Sequence, residues 1–272
     1  MQGLGTGLMG LLPVLPVAYV AVAALAFLLA DHVLFQPPPP SYEQEAAGIT
    51  RVAVGDGDSI ALVHLPNPAA RFTILFSHGN AEDLGDMLPL LKALQGFGFA
   101  VVGYDYRGYG RSGGGRPTAR KAAQDAEAAY RFAVRALGVS PTRLILHGRS
   151  LGSGPAVLLA RRHDVGGLIL ESAFTSPYRV LTGVGILPFD RFPNLAGIRD
   201  VRCPVLVIHG TRDGVIRVSH GRRLFAAATS PRQSLWVEGA GHNDLFDVAG
   251  PQYEAALKRF AAELDRVSSD TR

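Results

Sequence analysis

A single cysteine, Cys203, in 272 residues leaves no partner for an internal disulfide, and it excludes a cysteine-rich zinc site as well. Charge is also sparse, at 18% of residues against 47% hydrophobic. Lysine is almost missing: of 27 basic residues only Lys92, Lys121 and Lys258 are lysines, and arginine supplies the rest. With abundant alanine beside it, that bias reads as the imprint of a GC-rich genome. No basic run exceeds a pair, as at Arg161-Arg162 or Arg222-Arg223, and no aromatic stripe accompanies them. The net charge of +4 therefore does not point to nucleic acid, although it is compatible with mild attraction to anionic lipid headgroups. No lysine-bearing phosphate loop is present. Gly108-Tyr109-Gly110-Arg111-Ser112-Gly113 fits a dinucleotide fingerprint by letters alone. Gly114, Gly115 and Pro117 delay the helix that such a site needs, and the next strand ends in His147 where an acidic residue is required. His78 is read as a residue that shapes its loop and not as a metal ligand. Neither a metal nor a cofactor is expected.

What the chain does have is one long uncharged run, residues 3–30. Residues 8–30 as a helix would extend about 34 Å at about 1.5 Å per residue, enough for a hydrocarbon core of about 30 Å. Pro13 and Pro16 would kink its first half, which membrane helices tolerate. Three readings are open. A single-pass anchor suits the length. A cleaved signal peptide suits the position, but residues 1–7 carry no Lys or Arg. A core helix would be shorter or amphipathic. Neither flank has the basic excess that sets orientation, so the side of the membrane is open too. Gln36-Pro37-Pro38-Pro39-Pro40 follows and favours polyproline II, a stiff spacer. The expected organisation is an anchor over 1–31, a proline-rich linker over 32–41, one folded domain over 42–267 and a flexible tail over 268–272.

From residue 42 onward, short apolar runs bounded by turn residues alternate with helical spacing. Strands are expected at 49–54 and 59–65, paired across Gly55-Asp56-Gly57-Asp58, then at 72–77, 100–104, 143–147, 167–171, 204–209 and 233–237. Helices are expected at 83–95, 118–137, 151–162, 219–228 and 252–267. Buried strands alternating with helices imply an α/β fold, a mostly parallel sheet covered on both faces with an antiparallel hairpin at one edge.

Gly148-Arg149-Ser150-Leu151-Gly152 matches G-x-S-x-G between a strand and an apolar helix. The glycines permit a sharp turn that exposes the Ser150 hydroxyl and aims the helix N-terminus at a developing oxyanion. A serine needs a base, and the base needs an orienting acid. Downstream, Asp213 follows the strand PVLVIH, and His242 follows SLWVE in Gly239-Ala240-Gly241-His242. Both occupy loops at strand carboxyl ends, where open α/β sheets assemble sites. His163, His209 and His220 are more simply surface or packing residues, and Glu171 and Asp247 are rival acids. Upstream, His78-Gly79-Asn80 follows the strand FTILFS. The backbone amides of Asn80 and Leu151 are the expected oxyanion donors, with the His78 and Asn80 side chains holding the loop. Residues 174–195, apolar with scattered Pro and Gly, either line an acyl groove through Val180, Leu181, Val184, Ile186, Leu187 and Phe189 or merely pack on the surface.

Together HGNAEDLGDM, YDYRGYGRSGG, GRSLGSGPAV, PVLVIHGTRDGVI, SHGRRLF and LWVEGAGHNDL resemble the α/β-hydrolase superfamily. More narrowly they resemble the α/β-hydrolase-domain-containing protein 17 group, membrane-associated serine hydrolases that remove palmitate from cysteine, and bacterial relatives known only as hydrolases. Even FQPPPPSY at 35–42 is similar to that group's entry segment. The resemblance implies Ser150 as nucleophile, Asp213 as acid and His242 as base, no cofactor, and hydrolysis of an acyl ester or thioester that could be lipid-derived. An aminopeptidase-like or oligopeptidase-like amide hydrolase, or a non-catalytic membrane scaffold on the same fold, is the alternative. Two features differ from the group: a hydrophobic span replaces its lipidated cysteine-rich N-terminus, and Arg149 stands where a neutral residue is usual.

Overall fold

Five strands are buried along their whole length: β3 (Thr73–Ser77), β4 (Ala100–Tyr104), β5 (Leu144–Arg149), β6 (Gly167–Glu171) and β7 (Val205–Gly210). Both faces of such strands must be covered, so their sequences run apolar without alternation. β1 (Ile49–Gly55) and β8 (Arg232–Val237) keep partly exposed residues and form the sheet edges. With β2 (Asp58–Leu65) the order is β1-β2-β4-β3-β5-β6-β7-β8. Among the described residues only β1–β2 and β2–β4 are antiparallel. The computed structural model describes residues 14–43, 48–55, 57–182, 187 and 189–270.

Alternate residues of each strand feed two separate cores. Leu75, Val102, Leu146, Leu170 and Val207 pack on one face against α3 (Ala119–Arg131), α4 (Ser153–Arg162) and α7 (Val218–Ala227). Phe76, Val101, Ile145, Ile169 and Ile208 pack on the other against α2 (Leu84–Gly96) and the C-terminal helix α9 (Pro251–Asp270). Short helices α5 (Pro177–Thr182), α6 (Asn194–Gly197) and α8 (Leu245–Ala249) complete the series. The start of α2 is fixed by a capping box: Asp83 accepts from the Gly85 and Asp86 amides, and Asp86 accepts from the Asp83 amide. Thr118 caps α3 by accepting from the Lys121 amide. The helix expected over 118–137 is α-helical only to Arg131, then widens into a π turn over Phe132–Ala136.

The N-terminal helix α1 (Val14–Leu34) has length and composition to cross a membrane. It also lies against the domain. Ala23, Ala30 and Phe35 are buried, with Ala26 and Leu34 partly so. Small side chains at helical spacing let the α1 backbone approach closely. Polar tethers hold it: Asp31 accepts from the Ala119 amide at 3.2 Å and pairs with Arg191 at 3.2 Å, and Arg191 also donates to the Phe27 carbonyl at 2.8 Å. The Phe27 ring stands edge-on to Phe189, centroids 5.1 Å apart, with the Arg191 guanidinium 4.4 Å above it. The segment expected as a stiff spacer is likewise bound to the domain. The Gln36 amide donates to Asn80 Oδ1, the Ser41 amide and hydroxyl donate to Asp83, and the Tyr42 hydroxyl donates to Asp105.

Candidate active site

In chain order β4 is laid down on one side of β3 and β5 on the other. The sheet therefore reverses direction at β3/β5, and a crevice opens beyond their carboxyl ends, where open α/β sheets bind ligands. Ser77 and Gly148 are register partners there. The loop after β3 carries His78, Gly79 and Asn80, and the turn after β5 carries Ser150.

Ser150 has φ of +50°, a left-handed conformation that a non-glycine residue adopts only when its surroundings impose it. Close packing of the adjacent glycines imposes it. A β-carbon on Gly148 would strike the Gly152 carbonyl and Ala156, and one on Gly152 would strike the Ser77 carbonyl. A 3-10 turn, Ser150–Gly152, leads from the nucleophile position into α4. The Leu151 amide sits in the first turn of this helical run, where amides lack intrahelical acceptors. A β-carbon at Gly79 would lie 3.3 Å from Ser150 Cβ, so the loop after β3 passes directly beside the serine.

Ser150 Oγ donates to His242 Nε2 at 3.0 Å, and His242 Nδ1 donates to Asp213 Oδ2 at 2.7 Å. Asp213 is buried, and burial alone would raise its pKa. Hydrogen bonds from His209 and His242, with the Ile216 amide at 2.7 Å, outweigh that and hold it below the usual carboxylate range. The Val215 amide donates at 2.9 Å as well. An ionised, fixed carboxylate keeps the imidazole in the tautomer whose Nε2 accepts the serine proton. Serine, histidine and aspartate come from three separate loops, and the structure brings all three together.

Asn80 and Leu151 line the same cavity as Ser150. The Asn80 side chain is clamped, its Oδ1 accepting from Tyr109 Oη at 2.5 Å and from the Gln36 amide at 2.8 Å. His78 is buried, donating from Nδ1 to the Gly79 carbonyl at 2.7 Å with Nε2 3.3 Å from Asp105. The rival acids lie elsewhere. Glu171 is engaged with His147, Arg149 and Tyr253, and Asp247 belongs to the first turn of α8. His163 pairs with Glu127 and stacks on Tyr130, and His220 Nδ1 meets Thr175. His209 has more to do than pack a strand end: its Nε2 donates to the Ile216 carbonyl at 2.7 Å and lies 3.4 Å from Asp213. Its spacing of four residues before Asp213 was the available signal.

The cavity at Ser150 has a volume of about 490 Å³. Phe174, Tyr178, Val180, Leu187 and Ile216 form one side, and α1 forms the other. Of the groove residues expected from sequence, Val180 and Leu187 line it, whereas Phe189 packs against Phe27 and Tyr178. Val184, Ile186 and the Leu181 side chain lie outside the described residues. Arg191 is the single arginine or lysine among the lining residues described, and no carboxylate joins it.

Residues 68–189 match the serine aminopeptidase, S33 family. The chain is 40% identical over 227 residues to the Homo sapiens α/β-hydrolase-domain-containing protein 17B, covering 82% of this chain and 78% of that one. It is 42% identical over 196 residues to the Mus musculus protein 17C, covering 71% and 60%. Among solved structures, a Pyrococcus furiosus esterase, Pf2001, superposes with a TM-score of 0.68 at 17% identity, covering 84% of this chain and 99% of that one. Est1E from Butyrivibrio proteoclasticus, solved with ferulic acid bound, gives 0.65 at 19% identity, covering 80% and 99%.

Proposed function

Because this chain belongs to the α/β-hydrolase-domain-containing protein 17 group and is a serine hydrolase, we propose that it is a membrane-anchored enzyme cleaving acyl esters and thioesters through Ser150, His242 and Asp213. The observation that carries the reading is the unbroken Ser150–His242–Asp213 hydrogen-bond chain opening into an apolar cavity. His242 takes the Ser150 proton as Oγ attacks the acyl carbon. The negative charge on the former carbonyl oxygen is received by the Asn80 and Leu151 amides. His242 then gives its proton to the departing alcohol or thiol. In the second half a water attacks the acyl-enzyme, His242 again takes the proton, and the carboxylic acid leaves with Ser150 restored.

The amide-hydrolase alternative with aminopeptidase selectivity needs a negative pocket for a substrate ammonium. Among the described lining residues there is no carboxylate to hold one, and this favours the acyl reading. For localisation, the length of α1 and its outward apolar face support an anchor.

The test is covalent. A fluorophosphonate probe should label the wild-type protein, and Ser150→Ala should lose labelling together with about 10⁴-fold or more of turnover on a 4-nitrophenyl ester. Undiminished labelling of Ser150→Ala would falsify the nucleophile assignment.

A further inference from the structure

The cavity beside Ser150 is incomplete without the N-terminal helix. Val22, Leu25, Ala26, Leu29, Ala30 and Val33 of α1 line it, opposite Phe174, Val180 and Ile216. These six recur at helical spacing of three and four, so they form one stripe about 17 Å long, from Val22 to Val33 at about 1.5 Å per residue. A helix that served only as a tether would have no reason to lie in register with a nucleophile more than a hundred residues away. This one is held in that register by polar contacts. Asp31 and the Phe27 carbonyl are both bound by Arg191, and the Ala26 carbonyl accepts from Tyr178 Oη at 3.4 Å. Arg191 and Tyr178 themselves line the cavity, so the residues that hold the helix belong to the wall facing it.

We propose that α1 is the specificity wall of the acyl site: the acyl chain of the substrate lies along Leu29, Leu25 and Val22, and this stripe sets the chain length accepted at Ser150. The inference rests on the serine-hydrolase reading above and names its substrate class, esters and thioesters of long, unbranched acyl chains. Size and chemistry choose that occupant. The volume of about 490 Å³ is roughly three times that of an apolar cavity of about 150 Å³ that takes one benzene. Its lining on the α1 side offers no hydrogen-bond donor or acceptor from a side chain, so a polar or charged substrate arm would lose its water without replacement. Leu25 and Leu29 are 56% and 45% exposed, leaving apolar surface for a chain to cover. The same stripe continues toward the N-terminal end of α1, the part of the helix that the domain leaves bare. An acyl chain resident in a lipid layer can therefore reach Ser150 along α1 while staying in apolar surroundings.

The experiment uses the full chain in nonionic detergent, with 4-nitrophenyl acetate and dodecanoate. Leu29→Trp fills the cavity from the α1 side. Leu28→Trp adds the same bulk one residue away, at a side chain that is 75% exposed and outside the cavity lining. Each methylene that can no longer be buried costs about fourfold in rate. The dodecanoate-to-acetate ratio of kcat/KM should therefore fall about tenfold or more in Leu29→Trp and stay at the wild-type value in Leu28→Trp. Fluorophosphonate labelling of Ser150 in each variant reports the state of the nucleophile separately. Labelled variants with an unmoved ratio, or with equal losses in both, overturn the role of α1 alone. A wild-type chain that does not label at Ser150 overturns the hydrolase reading, and this inference falls with it.

Discussion

A guanidinium buried directly before Ser150 needs carboxylates around it, and Arg149 has two: Glu82 at 2.7 Å and Glu171 at 3.3 Å. Arg149 and Glu171 are register partners on neighbouring strands, while Glu82 also accepts from the Gly79 amide at 2.5 Å. The arginine that looked out of place in the G-x-S-x-G motif thus braces the loop beside Ser150. Burial would raise the pKa of Glu171, but hydrogen bonding to His147 and the charges of His147 and Arg149 outweigh it and bring it to about 2, from 4.5. A carboxyl depressed in the folded state adds stability that is full above pH 4.5 and lost as pH falls through about 2. The gap corresponds to about 3 kcal/mol. Urea unfolding of the wild type should show this loss of stability on acidification, and Glu171→Gln should flatten that part of the profile. An identical acid slope in the variant would remove Glu171 as its source. Ser150, Asp213 and His242 were legible because each sits in a short local motif after an apolar strand. Glu82, Tyr109 and His209 were not, since their importance comes from contacts made across the sheet.

Among the elements, the strand-to-helix turn at Ser150 tolerates least. Gly152 lies so close to the end of β3 that any side chain would collide with the Ser77 backbone carbonyl, and a backbone cannot rotate aside as a side chain can. Gly152→Ala should therefore cost about 1–3 kcal/mol or more through overpacking, visible as a lower denaturation midpoint, and it should displace the Leu151 amide, slowing labelling of Ser150. A variant with wild-type stability and labelling would contradict that packing. The order and type of the strands and helices followed from sequence because interior parallel strands must be short, apolar and bracketed by turn residues. The docking of α1 did not. A helix apolar on every side shows no buried face by periodicity, and its alanines do not reveal one, since Ala18, Ala21 and Ala24 are exposed while Ala23 and Ala30 are buried.

For the molecule as a whole, the N-terminal helix, the proline-rich segment and the site are one structure rather than three in series. A chain beginning at Tyr42 would lose the α1 wall together with the Gln36 amide that holds Asn80. We expect it to be released from membranes and to label at Ser150 more slowly than the full chain. We also expect its preference for dodecanoate over acetate to drop by about tenfold or more, because burial of each methylene is worth about 0.8 kcal/mol. Labelling rates and ester kinetics on both proteins check this, and matched chain-length profiles would show that the wall is dispensable. The joint construction has a practical side for inhibitor discovery. Compounds screened on a fragment lacking α1 would be selected against a site open on that side, whereas the full chain presents the α1 residues beside Ser150. Potency ranked on one would then not transfer to the other, and selectivity over related hydrolases should be sought in the part of a compound that touches the helix, not in its reactive head.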